Sequence, residues 1–296
     1  MSGKLKAIKT RIKAVKETQQ ITKAMKMVSA AKLRRAQDAI IQIRPYANKL
    51  NELLQNIITS LEGDIDIDLA KGREVNKVLL VLVTSDRGLC GSFNSSLIKI
   101  ARKLIEEKYS TQNKGGNLSL MCVGKKGNDF YSRRHDNVND EYVSLFSKLQ
   151  FSNTSILADE LIKSYQDGLY DVIEVIYAKF KNPGTQIIES EQFLPIDKDI
   201  LSKEVTETKK ADFIYEPDKY EILNNLVPKI LKTHFHRTLL DNNASEHGAR
   251  MTAMDKATEN CDELLGDLRI SYNRARQEAI TKELSEIVGG AAALQA

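Results

Sequence analysis

The stretch of this 296-residue chain best placed for ligand chemistry is Ser85-Asp86-Arg87-Gly88-Leu89-Cys90-Gly91-Ser92-Phe93-Asn94, which follows an apolar run and opens a helical pattern. A strand-to-helix loop is where phosphates are cradled, because the first turn of a helix carries N–H groups without intrahelical partners. The spacing matches neither GxGxxG nor GxxxxGK[ST]. A Gly-x-x-Gly pair serves equally well as a turn whose two glycines take positive φ. Cys90 stands near the helix start, where a thiol gains acidity, but no histidine is fixed beside it. His234 and His236 are two apart, which on a helix turns them to different faces. Cys90, Cys122 and Cys261 form no CxxC pair, so neither a zinc site nor a disulfide framework is expected. No Ser-His-Asp set or paired-carboxylate signature stands out. The chain is therefore read as having no catalytic residue, no metal and no cofactor.

Three other features suit binding rather than bond chemistry. The first 60 residues hold 13 Lys or Arg against three Asp or Glu, while the other 236 hold 31 against 37. Most of that excess is Lys4, Lys6, Lys9, Arg11, Lys13, Lys16, Lys23, Lys26, Lys32, Arg34 and Arg35. Such a stripe is a solvated helix face or the footprint of an acidic partner, nucleic acid or protein. The run from Tyr272 to Glu283 sets Arg276, Gln277, Lys282 and Glu283 on one helical stretch, with donors and acceptors suited to another protein's loops. The end of the chain carries Ile287, Val288, Ala291, Ala292, Ala293 and Leu294, almost without charge. It reads as a frayed terminus or as a tip that a partner's socket covers.

Long helices must position these features. Leu33, Ala36, Ile40, Ile43, Ala47, Leu50, Leu54, Ile57 and Leu61 alternate gaps of three and four, the repeat of a left-handed coiled-coil seam. Leu223, Leu226 and Ile230, then Met251, Met254, Cys261, Leu265, Leu268, Tyr272, Ala275 and Ala279, continue it at the far end. Helices at opposite ends of one chain pair antiparallel. If residues 60 and 220 are level, residue 4 falls beside about 276, Met25 shares a level with Arg250, and about 20 residues project alone. Pro45 is expected to kink the first helix.

Between the ends, Val78–Val83 and Leu118–Val123 read as strands buried on both faces. Helices are expected at 95–109, 126–134 and 153–166. Strands at 172–179 and 186–192 join through Asn182-Pro183-Gly184. The fold class is α/β plus long helices: an antiparallel two-helix left-handed coiled coil with a central Rossmann-like α/β domain on its side. The expected division is 1–61, 75–196 and 218–296, with polar stretches at 62–75 and 197–216 between. Hydrophobic content of 42%, aromatic content of 6% and the absence of Trp suit long helices. No apolar run approaches the roughly 20 residues that span a bilayer, and no secretory leader is visible.

At these residues the chain resembles the gamma-subunit family of F-type ATP synthases. RIKAVKETQQITKAMKMVSAAKLRRAQ (11–37), SDRGLCGSFN (85–94), SEHGARMTAMDKATEN (245–260) and YNRARQEAITKELSEIVGGAAAL (272–294) carry the likeness; Ser92 stands where that family commonly has glycine. The resemblance implies a non-catalytic central-stalk rotor, one copy per complex. It would couple transmembrane proton flow to ATP synthesis or hydrolysis by turning inside a ring of alpha and beta subunits. It also implies contact with an epsilon subunit and a c-ring, membrane contact only through partners, and the cytoplasmic face of a bacterial inner membrane. Carried over, Met25 and Lys26 would face the beta-subunit lever. Arg250, Arg276, Gln277, Thr281 and Glu283 would meet the catch loops, and Ile287, Val288, Ala291 and Leu294 would form an apolar bearing tip. Residues 190–215 lack the cysteine pair of chloroplast relatives, so no thiol switch is expected. Two rivals are weaker. A nucleotide-dependent enzyme lacks its phosphate loop. A nucleic-acid-binding coiled coil would need aromatics for stacking, and only Tyr46 lies near the stripe.

Overall fold

A computed structural model describes residues 3–60, 68–196 and 218–295. Residues 62–67 of the first polar stretch, all of the second (197–216) and Leu61 lie outside them. Helix α1 runs unbroken from Gly3 to Ser60 with Pro45 inside it. It is followed by β1 (Val78–Val83), α2 (Phe93–Lys103), α3 (Ser110–Lys114), β2 (Leu118–Val123), α4 (Lys125–Tyr131) and β3 (Val138–Asn139). Then come α5 (Phe151–Gln166), β4 (Val172–Asn182), β5 (Thr185–Leu194) and α6 (Lys219–Gln295), whose 77 residues include Pro228. A π-helical turn, Leu104–Lys108, extends α2.

The chain divides into two compact units. One is Met1–Ser29 with Met251–Ala296; the other is Ala30–Arg250. In the larger unit the five strands lie in the order β3-β2-β1-β4-β5. β1 is parallel to both β2 and β4, β2 is parallel to β3, and β4 and β5 form the antiparallel hairpin. β1 reads VLLVLV because both its faces are buried. Val78, Leu80 and Leu82 join Phe93, Leu97, Ala101 and Tyr131 in one core. Leu79, Val81 and Val83 join Leu157, Leu161 and Tyr165 of α5 in the other. That second core also takes Leu50, Leu54 and Ile57 of α1 and Leu223, Val227, Leu231, Phe235 and Leu239 of α6. The sheet is thus mounted on the helix pair by the seam residues themselves, and Phe193 packs on Phe235 with ring centroids 5.4 Å apart.

In the smaller unit the helices are antiparallel. Lys4 pairs with Glu278 at 2.9 Å, Thr22 meets Thr258 at 2.8 Å and Lys26 reaches Asp255 at 2.5 Å. Gln19 also donates to Asp262. The α1 seam here is Leu5, Ile8, Ile12, Val15, Gln19, Thr22, Lys26 and Ser29, all turned inward to some degree. It keeps the alternation of three and four that begins, in the sequence reading, only at Leu33.

Candidate partner-docking surfaces

Two regions bear on function: the end of the helix pair, and the loop that follows β1. Lys4–Glu278 stands at the start of α1, and beyond Ala279 every described side chain of α6 as far as Ala291 is exposed. Arg276, Gln277, Thr281 and Glu283 are exposed around this point. Ile287 is 67% exposed and Val288 66%, and Ala291 is exposed as well. Leu294 lies in α6, but its side chain is outside the described set. Lys26, a rung of the seam, and Met25 next to it are half-buried. Lys26 spends its ammonium on Asp255, and Lys4 spends its own on Glu278, whose carboxyl is held low by that hydrogen bond. The basic stripe is therefore partly neutralised within the chain, while Lys6, Lys9, Arg11, Lys13, Lys16 and Lys23 remain exposed.

The loop after β1 corrects two expectations. Its positive-φ positions are Leu89 (φ 64°) and Gly91 (φ 61°), not both glycines of the Gly-x-x-Gly pair. It also offers carbonyls, not N–H groups, to the group it encloses. Arg250 of α6 donates from Nη2 to Arg87 O at 2.8 Å and Gly88 O at 3.2 Å, and from Nε to Gly88 O at 3.3 Å. Its Nη1 donates to Glu246 Oε1 at 2.6 Å and lies 3.3 Å from His247 Nδ1. In a Rossmann-like sheet a ligand would lie beyond the carboxyl ends of the strands, where the strand order reverses at β1 and β4. Here α6 occupies that end. Asn242 Oδ1 accepts the Ala178 N–H of β4 at 3.0 Å, and the Arg250 guanidinium closes on the loop after β1. An anion there would meet carbonyl oxygens already turned toward a cation. Cys90 is buried and accepts a hydrogen bond from Asn94 Nδ2 at 3.2 Å. Among the described residues no group of three or more His, Cys, Asp or Glu could hold a metal.

Arg250 is only 7% exposed. Its donors are engaged inside the chain, whereas the resemblance gives it a contact with the catch loops. Arg250 ends the larger unit, while Met25 belongs to the smaller one, next in sequence to the Lys26 that pairs with Asp255. Burial pushes the Glu246 carboxyl up, against the pull of Arg250, and drives the His247 imidazole down to about 4, with Arg250 and Lys32 adding to the effect. His236 is pushed down by burial and hydrogen-bonds Thr154 at 2.8 Å. Nothing in residue spacing marks Arg250 as internal, because its acceptors are backbone carbonyls more than 160 positions away.

The seam and the Rossmann-like sheet, its ligand edge closed by its own helix, define a helical shaft subunit with an attached α/β domain. A family model described as ATP synthase matches residues 4–294. The chain is 54% identical over 290 residues to the ATP synthase gamma chain of Cytophaga hutchinsonii, covering 98% of each, and 49% identical to that of Chloroherpeton thalassium, again covering 98% of each. Among solved structures it is similar to a chain of the Tetrahymena thermophila mitochondrial ATP synthase central stalk and c-ring, with a TM-score of 0.53 and 27% identity over 80% of this chain and 99% of that one. A chain of the Euglena gracilis mitochondrial ATP synthase shares the fold, with a TM-score of 0.67 at 19% identity, covering 99% and 95%. The chain belongs to the ATP synthase gamma-chain family.

Proposed function

We propose that this chain is the central-stalk rotor of an F-type ATP synthase, coupling transmembrane proton flow to ATP synthesis and hydrolysis by rotation without performing bond chemistry itself. The observation that carries this reading is the antiparallel seam. In the smaller unit it runs from Leu5 to Ser29 on α1, with α6 running on beyond Lys4–Glu278 as an exposed apolar-tipped helix. A stiff, unevenly charged rod can bias partners among their states only through differential contacts, which is coupling by population shift. The working division is 1–61 and 218–296 as the shaft and 75–196 as the lateral α/β domain.

One copy would stand in a hexamer of alpha and beta subunits. Met25 and Lys26 would lie toward the beta-subunit lever, and Arg276, Gln277, Thr281 and Glu283 toward the catch loops. Ile287, Val288, Ala291 and Leu294 would turn in an apolar sleeve, where contacts without directional bonds impose little rotational preference. The foot would meet an epsilon subunit and the c-ring, so the chain would be peripheral at the cytoplasmic face of a bacterial inner membrane. Among the described residues no helix is long and apolar enough to cross a membrane. Affinity purification through this chain is expected to recover three alpha and three beta subunits; recovery of the chain alone, with the hexamer assembled elsewhere in the same cells, overturns the reading.

A further inference from the structure

We propose that the turn at Leu104–Lys108 is a register switch with two settings, and that the buried carboxylate of Glu174 is the acceptor both settings share.

The phase of α2 makes the first argument. At about 100° per residue, the buried Phe93, Leu97, Ala101 and Ile105 lie on an arc about 120° wide. Continued as a plain α-helix, α2 would set Lys108 at the middle of that arc and Tyr109 about 100° away from it. The π turn, closed by the Tyr109 N–H on Leu104 O at 2.9 Å, adds one residue to the helical turn. That sets the phase back by about 100°, so Tyr109 takes the middle and Lys108 the flank. Burial agrees: Tyr109 is 4% exposed, and the Lys108 side chain 49%.

The second argument is the acceptor. Glu174 stands on β4 opposite Leu80 of β1 and is 2% exposed. Lys108 Nζ at 3.0 Å and the Tyr109 hydroxyl at 2.7 Å donate to the same oxygen, Oε2, and Ser190 Oγ donates to Oε1. A lysine at the middle of an apolar face is costly unless a carboxylate meets it there. Glu174 is that carboxylate. The α setting would swing the ammonium over it and turn Tyr109 out to the rim, so neither setting strands a buried charge. π turns inside helices gather at functional sites, and this one has a reach beyond the core. After it, Gln112 Nε2 donates to Val75 O at 2.9 Å, and Asn117 O accepts the Val78 N–H at 3.0 Å. A change of setting would therefore pull on the approach to β1.

Exchanging the two residues tests the phase argument. With Lys108→Tyr and Tyr109→Lys together, a plain α-helix already puts the ring at the middle and the ammonium at the flank. The structure of the full chain carrying both is expected to show i→i−4 bonds through residue 109; a retained π turn overturns the proposal. Fluorine NMR of the full chain labelled with fluorotyrosine tests the switch itself, with the Tyr109 signal assigned by its loss in Tyr109→Phe. Helix register shifts fall in the window that relaxation dispersion reads. Dispersion on that signal is expected in the native sequence, and to fall by on the order of tenfold when Glu107 is deleted, because the deletion puts Tyr109 at the middle of a plain helix. Glu107 is exposed, and its ion pair with Lys103, at 3.7 Å, contributes little to the fold. A native signal without dispersion, or dispersion equal in the two chains, overturns the proposal.

Discussion

His247 makes the stability of the larger unit depend on pH in a calculable way. Its ring faces Arg250 and Glu246 on α6 and Lys32 on α1, with Asp86 of the β1 loop acting on Glu246. The neutral ring accepts from Arg250 Nη1 through Nδ1, and a proton there would remove the acceptor and set a cation against a cation. The folded-state value falls from an ordinary 6.5 to about 4. A base depressed in the folded state leaves the unfolded chain binding more protons between those two values. Its contribution is therefore fully present above about pH 6.5 and is lost as pH falls toward 4. At ~1.4 kcal/mol per unit, the loss is about 3 kcal/mol at most. Glu246 works the other way: its raised carboxyl takes a proton more readily in the folded state, which offsets part of the loss at the acid end. Urea midpoints between pH 7 and 4.5 would measure this. His247→Gln, whose side-chain oxygen can still accept from Arg250, is expected to flatten the profile by about 2 kcal/mol. A Gln variant with an unchanged slope would refute the assignment and leave the acid sensitivity to His236 or to the carboxylates.

Two further outcomes follow from close packing. Gly124 has φ 106°, and a Cβ there would stand 2.2 Å from the Thr84 carbonyl oxygen, so Gly124→Ala must part β1 from β2. It is expected to cost at least about 3 kcal/mol, seen as a lowered thermal midpoint or loss of the fold by circular dichroism. In the smaller unit, Leu268→Ala is expected to cost about 2 kcal/mol and Thr22→Val under ~1 kcal/mol, read from exchange of the amides in Met1–Ser29 and Met251–Ala296. The difference arises because Leu268 is buried in the seam, whereas each Thr hydroxyl can turn to its own helix, Thr22 to Gln19 O at 3.0 Å and Thr258 to Met254 O at 2.8 Å. Equal costs would refute the view that apolar rungs hold this part of the shaft.

What was legible in the sequence follows the strength of each local signal. β1 and β2 are legible to the residue because short, mostly apolar runs bounded by polar residues and glycine have few other readings. β3 escaped because two residues carry no period. The seam is legible from Leu33 onward, while its apolar rungs Leu5, Ile8, Ile12 and Val15 are cut off from that run by polar ones. Between Gln19 and Ser29 the rungs are polar, so the pattern seemed to lapse, although the spacing never did. The polar rungs find polar counterparts at Asp262, Thr258 and Asp255, which only the fold brings opposite them. The helix expected over 95–109 ends instead in a π turn, which delivers Lys108 and Tyr109 to the buried carboxylate of Glu174 at 3.0 and 2.7 Å. The glycine pair misled for a related reason: conformational freedom was credited to Gly88, while tertiary bonds imposed the left-handed turn on Leu89.

A shaft that transmits torque needs a fixed purchase on the domain it carries, and directional bonds add one to the apolar packing. Between Asn242 and Arg250 the contact of α6 with the sheet is of another kind. Asn242 holds one β4 amide, Gly248 admits the Pro183 backbone to a distance no larger residue would allow without displacement, and Arg250 fixes two consecutive carbonyls. A single hydrogen bond contributes about 1 kcal/mol net, so the value of this stretch to stability is modest. Its value to mechanics is greater, since hydrogen bonds weaken steeply with misalignment. A turn of α6 about its axis would break all of them together. The edge of the sheet that related architectures devote to ligands is here spent on gripping a helix, and the same bonds that close it to nucleotides make it resist rotation.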